Sequence, residues 1–292
     1  MSKKLILKAS VAALLGTAFA TSAQADDHAS VTFSGVVGAH LYLTDDSMTE
    51  AEIDEVTGEI TTPAEEVGAR FAAGDVRFNI AAENTMDSGL TAFANYRLDA
   101  DGLNGSTITS DATKLGVKGS FGTITVLDMG AKVEMGELAN DIYGTGQGGT
   151  GIGYDGAFGP VSVGIAFSPE NNDDLVTAGL SFSTGGLTIG AGVNSNDHYS
   201  VGAAYSIGGV DLAVQTGNRV TPEGTDEGIT AAKIGTSFGA FSTSVNYADS
   251  DLLGSTIRLD LGTSITDALA WGMRYQDTDS SSFLRTSLTY SF

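Results

Sequence analysis

From residue 31 onward the chain alternates apolar and polar residues in short runs broken by glycine. Val161, Val163, Ile165 and Phe167 take every second position, as do Leu269, Trp271, Met273 and Tyr275. The same holds for Leu284, Thr286, Leu288, Tyr290 and Phe292. A period of two places each set on one face of a β-strand. Sixteen such runs can be read. The first five are 31–43, 70–83, 89–100, 113–120 and 123–128. They are followed by "TGIGYDG", "PVSVGIAFS", "LVTAGLSFS", "LTIGAGVNS", "YSVGAAYSI", "VDLAVQTG", "ITAAKIGTSF", "FSTSVNYAD", "STIRLDLGTSI", "ALAWGMRYQ" and "FLRTSLTYSF". The pattern predicts an all-β protein.

The connections sort by parity. Junctions from even to odd strands are short, such as "FG", "TGG", "GG" and "GA". Junctions from odd to even strands tend to be longer and acidic, such as 44–69, "PENNDD", "NRVTPEGTDEG", "DSDLLG" and "DTDSSS", with "NDH" as an exception. Short turns at one end and long polar loops at the other are the pattern of a transmembrane antiparallel up-and-down β-barrel. A soluble β-sandwich has no reason to sort its loops this way. Phe121, Phe158, Phe182, Tyr205, Phe238 and Phe241 sit near the short turns, where an interfacial aromatic girdle is expected.

The first residues read as a processing signal. Lys3, Lys4 and Lys8 precede the apolar "VAALLGTAFA", and Ala23-Gln24-Ala25 matches an A-x-A cleavage site. That apolar core is too short to span a bilayer as a helix. The expectation is a cleaved secretory signal peptide over 1–25 and a single barrel domain over 26–292. Three of the 14 basic residues lie in the leader, so eleven face 36 acids downstream. Such a balance argues against a nucleic-acid partner. Cysteine is absent, which removes disulfides and thiolate metal sites.

Strand phase offers an internal test. A lipid-facing Arg or Lys at mid-bilayer costs about 2–4 kcal/mol, so strand-borne charges should avoid the apolar phase. Arg77, Arg97, Lys114, Lys118, Lys233, Arg258, Arg274 and Arg285 all do, as do His40, Asp75, Asp99 and Asp260. Apart from Lys233, the basic residues fall on strands 2–4 and 14–16. If strand 16 pairs with strand 1, they form one contiguous lumenal basic wall that focuses field on whatever passes.

The leader, the opening "TFSGVVG", the hairpin "DSGLTAFANYRL", the turn "GSFGTITVLDMG" and the terminal "SLTYSF" together resemble the Gram-negative outer-membrane general diffusion porins. The short alphaproteobacterial type is the nearest match. The resemblance covers essentially all of 26–292. It implies a sixteen-stranded barrel in the cell outer membrane, contacts with outer-membrane lipid, a homotrimer, and a water-filled channel for passive diffusion of small hydrophilic solutes and ions. It also implies that Tyr290 and Phe292 form a signal for the barrel-assembly machinery. A third long loop folded into the lumen would face its carboxylates toward wall arginines. The acidic first loop, with Glu50, Glu52, Asp54, Glu55, Glu59, Glu65 and Glu66, departs from the family pattern.

By count the third long loop is 129–148, "MGAKVEMGELANDIYGTGQG". On a helical wheel Glu134, Glu137 and Asp141 fall on one side, with Leu138, Ile142 and Met135 beside them. An acidic stripe facing Arg77, Arg97 and Lys118 would set a transverse field at a pore constriction. The alternative is an external acidic loop without a pore role. Lys132 is read as a local partner for these acids or as solvated. Acid pairs such as Asp45-Asp46, Asp173-Asp174 and "DTD" at 277–279 offer the oxygen ligands Ca²⁺ takes, but none has an EF-hand or repeat spacing. Solvated loops are the favoured reading and no cofactor is expected. The three histidines lack HExxH spacing, and no G-x-S-x-G occurs. The glycine-rich "GTGQGGTGIG" lacks a βαβ context. An enzyme, including a hydrolase barrel, is therefore disfavoured. The rival readings are a substrate-selective porin and, from a different class, a β-rich surface adhesin or binding protein.

Overall fold

The computed structural model describes residues 29–45, 52–53, 60–62, 69–100, 108–139, 149–169, 174–220 and 225–292. The expected leader, 1–25, lies outside them, as do Asp141, Ile142 and most of the acidic first loop. Sixteen strands close into one antiparallel barrel. The first eight are β1 (Ala29–Asp45), β2 (Arg70–Thr85), β3 (Thr91–Ala100), β4 (Ile108–Gly119), β5 (Gly122–Asp128), β6 (Thr150–Phe158), β7 (Val161–Ser168) and β8 (Leu175–Thr184). The rest are β9 (Leu187–Asn194), β10 (Tyr199–Ile207), β11 (Val210–Val220), β12 (Asp226–Phe238), β13 (Phe241–Ser250), β14 (Gly254–Ser264), β15 (Leu269–Thr278) and β16 (Ser282–Ser291). Each strand pairs with the next, and β16 pairs with β1.

Every run expected from the alternation coincides with a strand. Several strands are longer than the pattern suggested: β4 begins at Ile108 rather than 113, and β13 and β14 absorb half of "DSDLLG". The difference between long and short connections is therefore clear in the first half of the barrel and faint in the second, where 251–253 and 279–281 are as short as most turns. Alternation alone could not place these ends, because ladder hydrogen bonds carry polar residues beyond the apolar run. A small two-stranded sheet, Glu52–Ile53 with Ile60–Thr62, lies in the first long connection and was not anticipated.

The tight turns have a local cause. Gly185-Gly186 and Gly208-Gly209 take φ of 55° and 85°, and 59° and 82°. Positive φ at both central positions is the geometry whose twist matches a two-residue hairpin. Glycine adopts it without a Cβ clash.

The sheet is inside out relative to a soluble protein. Large apolar side chains in one phase are exposed, among them Phe33, Ile165, Leu180, Val214, Ile234 and Leu288. The buried set in the other phase is small or polar: Thr177, Ser200, Gln215, Asn246, Ser250, Thr256 and Arg258. Charge placement could not distinguish lipid from a protein core outside the apolar phase; this exposure pattern does, because the apolar face has no protein against it. All six aromatics expected near the short turns are exposed, and Phe238 stacks on Phe241 at 5.8 Å. No helix among the described residues is long and apolar enough to cross a membrane.

The β1–β16 ladder, from Val36 opposite Ser291 to Asp45 opposite Phe283, closes the barrel, and Phe292 extends it by one step. Gly35 N–H donates to the Phe292 carbonyl at 3.0 Å, and Phe292 N–H donates back to the Gly35 carbonyl at 3.1 Å. The Phe292 ring occupies the space a Cβ at residue 35 would need, and it stacks with Tyr290 at 6.3 Å.

Candidate functional site

The segment after β5 turns into the lumen instead of projecting away. Met129 N–H donates to the Gly149 carbonyl at 3.2 Å, closing the stem where the chain leaves β5 and approaches β6. Residues 133–136 form one 3₁₀ turn, with Glu137 N–H bonded to the Glu134 carbonyl at 2.9 Å. The expected α-helical stripe is thus corrected in part. Among the described residues the loop makes a single turn and then leaves helical geometry at Glu137, so a wheel of 100° per residue does not apply beyond it. Glycines at 130 and 136 and the packing of the turn on a sheet favour this short form over a helix.

The turn lies on the inner face of β8, β9 and β10. Its seat is a patch of glycines in the lumenal phase. Gly164, Gly179 and Gly192 are directly paired across β7, β8 and β9, and Gly190 pairs with Gly202 on β10. A Cβ on Gly190 would run into the Met135 carbonyl, one on Gly192 into Val133, and one on Gly202 into the Gly136 carbonyl. Missing side chains let backbone approach backbone. Val133 and Met129 are buried, and Ala139 joins a lumenal cluster of Ala213, Ile229, Ala231 and Ala248.

Three polar ties complete the seat. Lys132 is buried and its Nζ donates to Asp155 of β6 at 2.7 and 2.8 Å. Ser200 Oγ donates to the Val133 carbonyl. Ala139 N–H donates to Gln215 Oε1 at 2.7 Å. Lys132, expected as a partner of the loop's own acids or as solvated, reaches the wall instead. Glu134 is exposed and Glu137 half-buried. Although Glu134 is open to the lumen, enclosure by the barrel penalises its charge. The neighbouring Glu137 carboxylate adds to this, so its pKa is raised above the ordinary glutamate value despite the opposing pull of Lys132.

The basic residues line the other arc. The loop rests on strands centred at β9, eight places around a sixteen-strand ring from β1, and the basic strands flank β1 on both sides. Their carboxylate partners lie largely on the same wall. Arg77 and Arg97 both meet Asp99, at 3.4 and 3.1 Å. Lys118 meets Glu83 at 2.7 Å and Lys114 meets Asp128 at 3.2 Å. Arg258 and Arg274 share Asp260 at 3.2 and 2.6 Å, and Arg285 Nη1 lies 3.4 Å from His40 Nδ1. The wall is therefore a lattice of alternating charge rather than a bare basic surface.

Asp155, Glu83, Gln215 and the glycine seat were not singled out from sequence. Strand phase held the signal for Asp155 and Glu83, since both occupy lumenal positions: Asp155 pairs with Gly164, and Glu83 lies on the face of Arg77. Among the described residues, no group of three or more His, Asp or Glu side chains is arranged to hold a metal ion.

The family model for Gram-negative porin matches residues 9–290. No curated protein matches the chain. Among solved structures, a loop-deletion mutant of OmpT, an outer membrane protein of Vibrio cholerae, aligns with a TM-score of 0.69 at 15% identity, covering 91% of this chain and 100% of that one. The trimer form of in-vitro folded OmpT aligns with a TM-score of 0.67 at 12% identity, covering 91% and 100%. A doubly substituted mutant of the Rhodobacter blastica porin aligns with a TM-score of 0.68 at 12% identity, covering 90% and 100%. These three share the fold. With the family match over nearly the whole sequence and the inside-out closed barrel, the chain belongs to the Gram-negative porin family, and it is an outer-membrane channel for passive diffusion of small hydrophilic solutes and ions.

Proposed function

We propose that the channel sorts solutes between two facing charged surfaces: the third loop with Glu134 and Glu137 on one side, and the wall bearing Arg77, Arg97, Lys114, Lys118, Arg258, Arg274 and Arg285 on the other. The observation that carries this reading is the seating of the loop on β8–β10, across the barrel from the basic strands. A transverse field across a narrow aqueous gap favours hydrated polar solutes and ions over apolar ones of similar size. Asp141, which lies outside the described residues, belongs to the same proposed acidic edge. The fold and family support a channel and not an enzyme.

We further propose a homotrimer, supported by the trimer form among the structural neighbours. Tyr290 and Phe292 are proposed as the assembly signal, supported by their exposure on the outer face. The test of the sieve is reversal potential in planar bilayers under a salt gradient. The double substitution Glu134→Lys with Glu137→Lys should shift permeability toward anions. An unchanged reversal potential, with ohmic openings intact, would remove the loop from the constriction.

A further inference from the structure

Arg274 of β15 stands directly opposite Arg285 of β16 in the strand ladder. Both lie near the middle of their strands, in the lumenal phase and away from either rim. Like charges directly opposite one another are destabilising unless an opposite charge joins them. The carboxylate beside this pair is already shared. Asp260, opposite Arg274 on β14, accepts the Arg274 Nε–H at Oδ1, 2.6 Å away. Its Oδ2 lies 3.2 Å from Arg258 Nε and accepts from Asn246 Nδ2 at 3.3 Å. Three guanidiniums thus stand around one carboxylate, and Arg285 is the one that Asp260 does not reach. Among the described residues, no carboxylate forms an ion pair with Arg285. Its Nη1 lies 3.4 Å from His40 Nδ1, on an imidazole that offers no negative charge.

The rest of the wall is arranged differently. Lys118 and Lys114 each meet a carboxylate of their own, Glu83 and Asp128. Arg77 and Arg97 share Asp99, but Arg77 faces Asp99 and Arg97 faces Asn79, so neither faces a cation. Among the described residues, Arg274–Arg285 is the one pair of wall cations set directly opposite each other. Side chains so paired start about 4.5–5.5 Å apart at Cβ, close enough for both guanidiniums to reach one small anion. In a water-filled lumen that anion comes from the passing solutes. A guanidinium presents its donors in a rigid planar fork that matches the oxygens of an oxyanion. Two such forks, with one carboxylate among three guanidiniums, suit a doubly charged oxyanion better than a singly charged one.

We propose that Arg274 and Arg285 form a binding subsite for small dianionic oxyanions of the sulfate or phosphate type, on the lumenal wall at β15–β16. Asp260 is a positioning residue there, holding Arg274 through Nε. The proposal rests on the channel function, because the anion must reach the lumen. It does not rest on the place of the third loop, so an unchanged reversal potential in the Glu134 and Glu137 double variant leaves it standing.

The experiment uses the purified full protein in planar bilayers, with potassium chloride on both sides and graded potassium sulfate added to one side at constant ionic strength. Inorganic phosphate at pH 8 serves as a second dianion and nitrate as a singly charged oxyanion. Sulfate and phosphate should reduce the chloride current at a concentration about tenfold below nitrate, the equivalent of about 1.4 kcal/mol. Arg285→Gln and Arg274→Gln should each bring the sulfate-to-nitrate ratio toward one. Lys114→Gln removes the same charge from the same wall but not from this pair, and should keep the ratio. The ratio is taken within one channel, so altered basal conductance does not affect it. Equal effects of sulfate and nitrate on the unsubstituted channel overturn the proposal even if no variant assembles. A ratio that falls as far in Lys114→Gln assigns the preference to the summed field of the wall and overturns the subsite. So does a ratio unchanged in both arginine variants. Absence of ohmic openings in chloride alone would instead overturn the channel itself.

Discussion

Lys132 and Asp155 show how a charged side chain can act as a tether rather than a selectivity element. The ammonium is buried while the carboxylate remains half open to the lumen. Asp155→Asn should leave that buried charge with a neutral partner and weaken loop seating by about 1.5–3 kcal/mol, the range for hydrogen bonds to charged groups. Single-channel recordings should then show larger open-state current fluctuations than the unsubstituted channel. A quiet trace would mean that glycine packing alone holds the loop. Glu134 gives a pH signature. Its raised pKa means that it gains a proton as pH falls before an ordinary glutamate would. Cation preference should decline from above the usual carboxylate range downward, and Glu134→Gln should flatten that early part of the titration. The same shift favours the protonated folded state, so this group's contribution to stability is present at low pH and lost as pH rises through its folded pKa.

At the scale of single elements, the strands were legible and the third loop was only half legible. Alternation names a strand because lipid on one side and water on the other impose a period of two over many residues. The loop lacks such a uniform environment. Its acids and apolar residues fall at helical spacing, yet the backbone makes one 3₁₀ turn because the wall beneath supplies partners for its carbonyls and amides. The seat was invisible in sequence because it consists of missing side chains on four different strands, brought together only by register. Gly190→Val tests it: the added carbons meet the Met135 carbonyl, so the loop must lift from the wall. Single-channel conductance should fall by about a factor of two or more if the constriction narrows, on the steep dependence of permeation on pore size. An unchanged conductance would show that the loop does not bound the pore.

For the whole molecule, the informative quantity is which face lacks protein against it. Charge phase puts Arg77, Arg97 and Arg258 opposite the apolar face, but any amphipathic sheet would pass that test. The exposed row of Val214, Ile234 and Val245 decides the matter, because water would not tolerate it and hydrocarbon would. Val214→Arg should therefore destabilise the folded barrel in lipid by about 2–4 kcal/mol, read from urea unfolding in vesicles. The same arginine at Ser244, a half-buried lumenal position opposite Asp260, should be free of that lipid penalty. Equal costs at the two sites would argue against a lipid-facing outer surface. The cross-strand ion pairs were not legible, since Arg77 faces Asp99 and Arg274 faces Asp260 only once the strand register is defined, whereas Arg97–Asp99 and Arg258–Asp260 join residues two apart on one strand.

The two hydrogen bonds between Gly35 and Phe292 also carry a consequence for the order of events in folding. His40 and Arg285, on the same seam, are 245 residues apart, whereas every other strand pairing joins sequence neighbours. Local hairpins can therefore form early, while the seam requires the largest loop-closure entropy and should form last. Until then β1 and β16 are two free edges, which hydrocarbon does not accept. Insertion into the bilayer and sealing of the seam must accordingly be coupled, with Phe292 as the latch that ends the process.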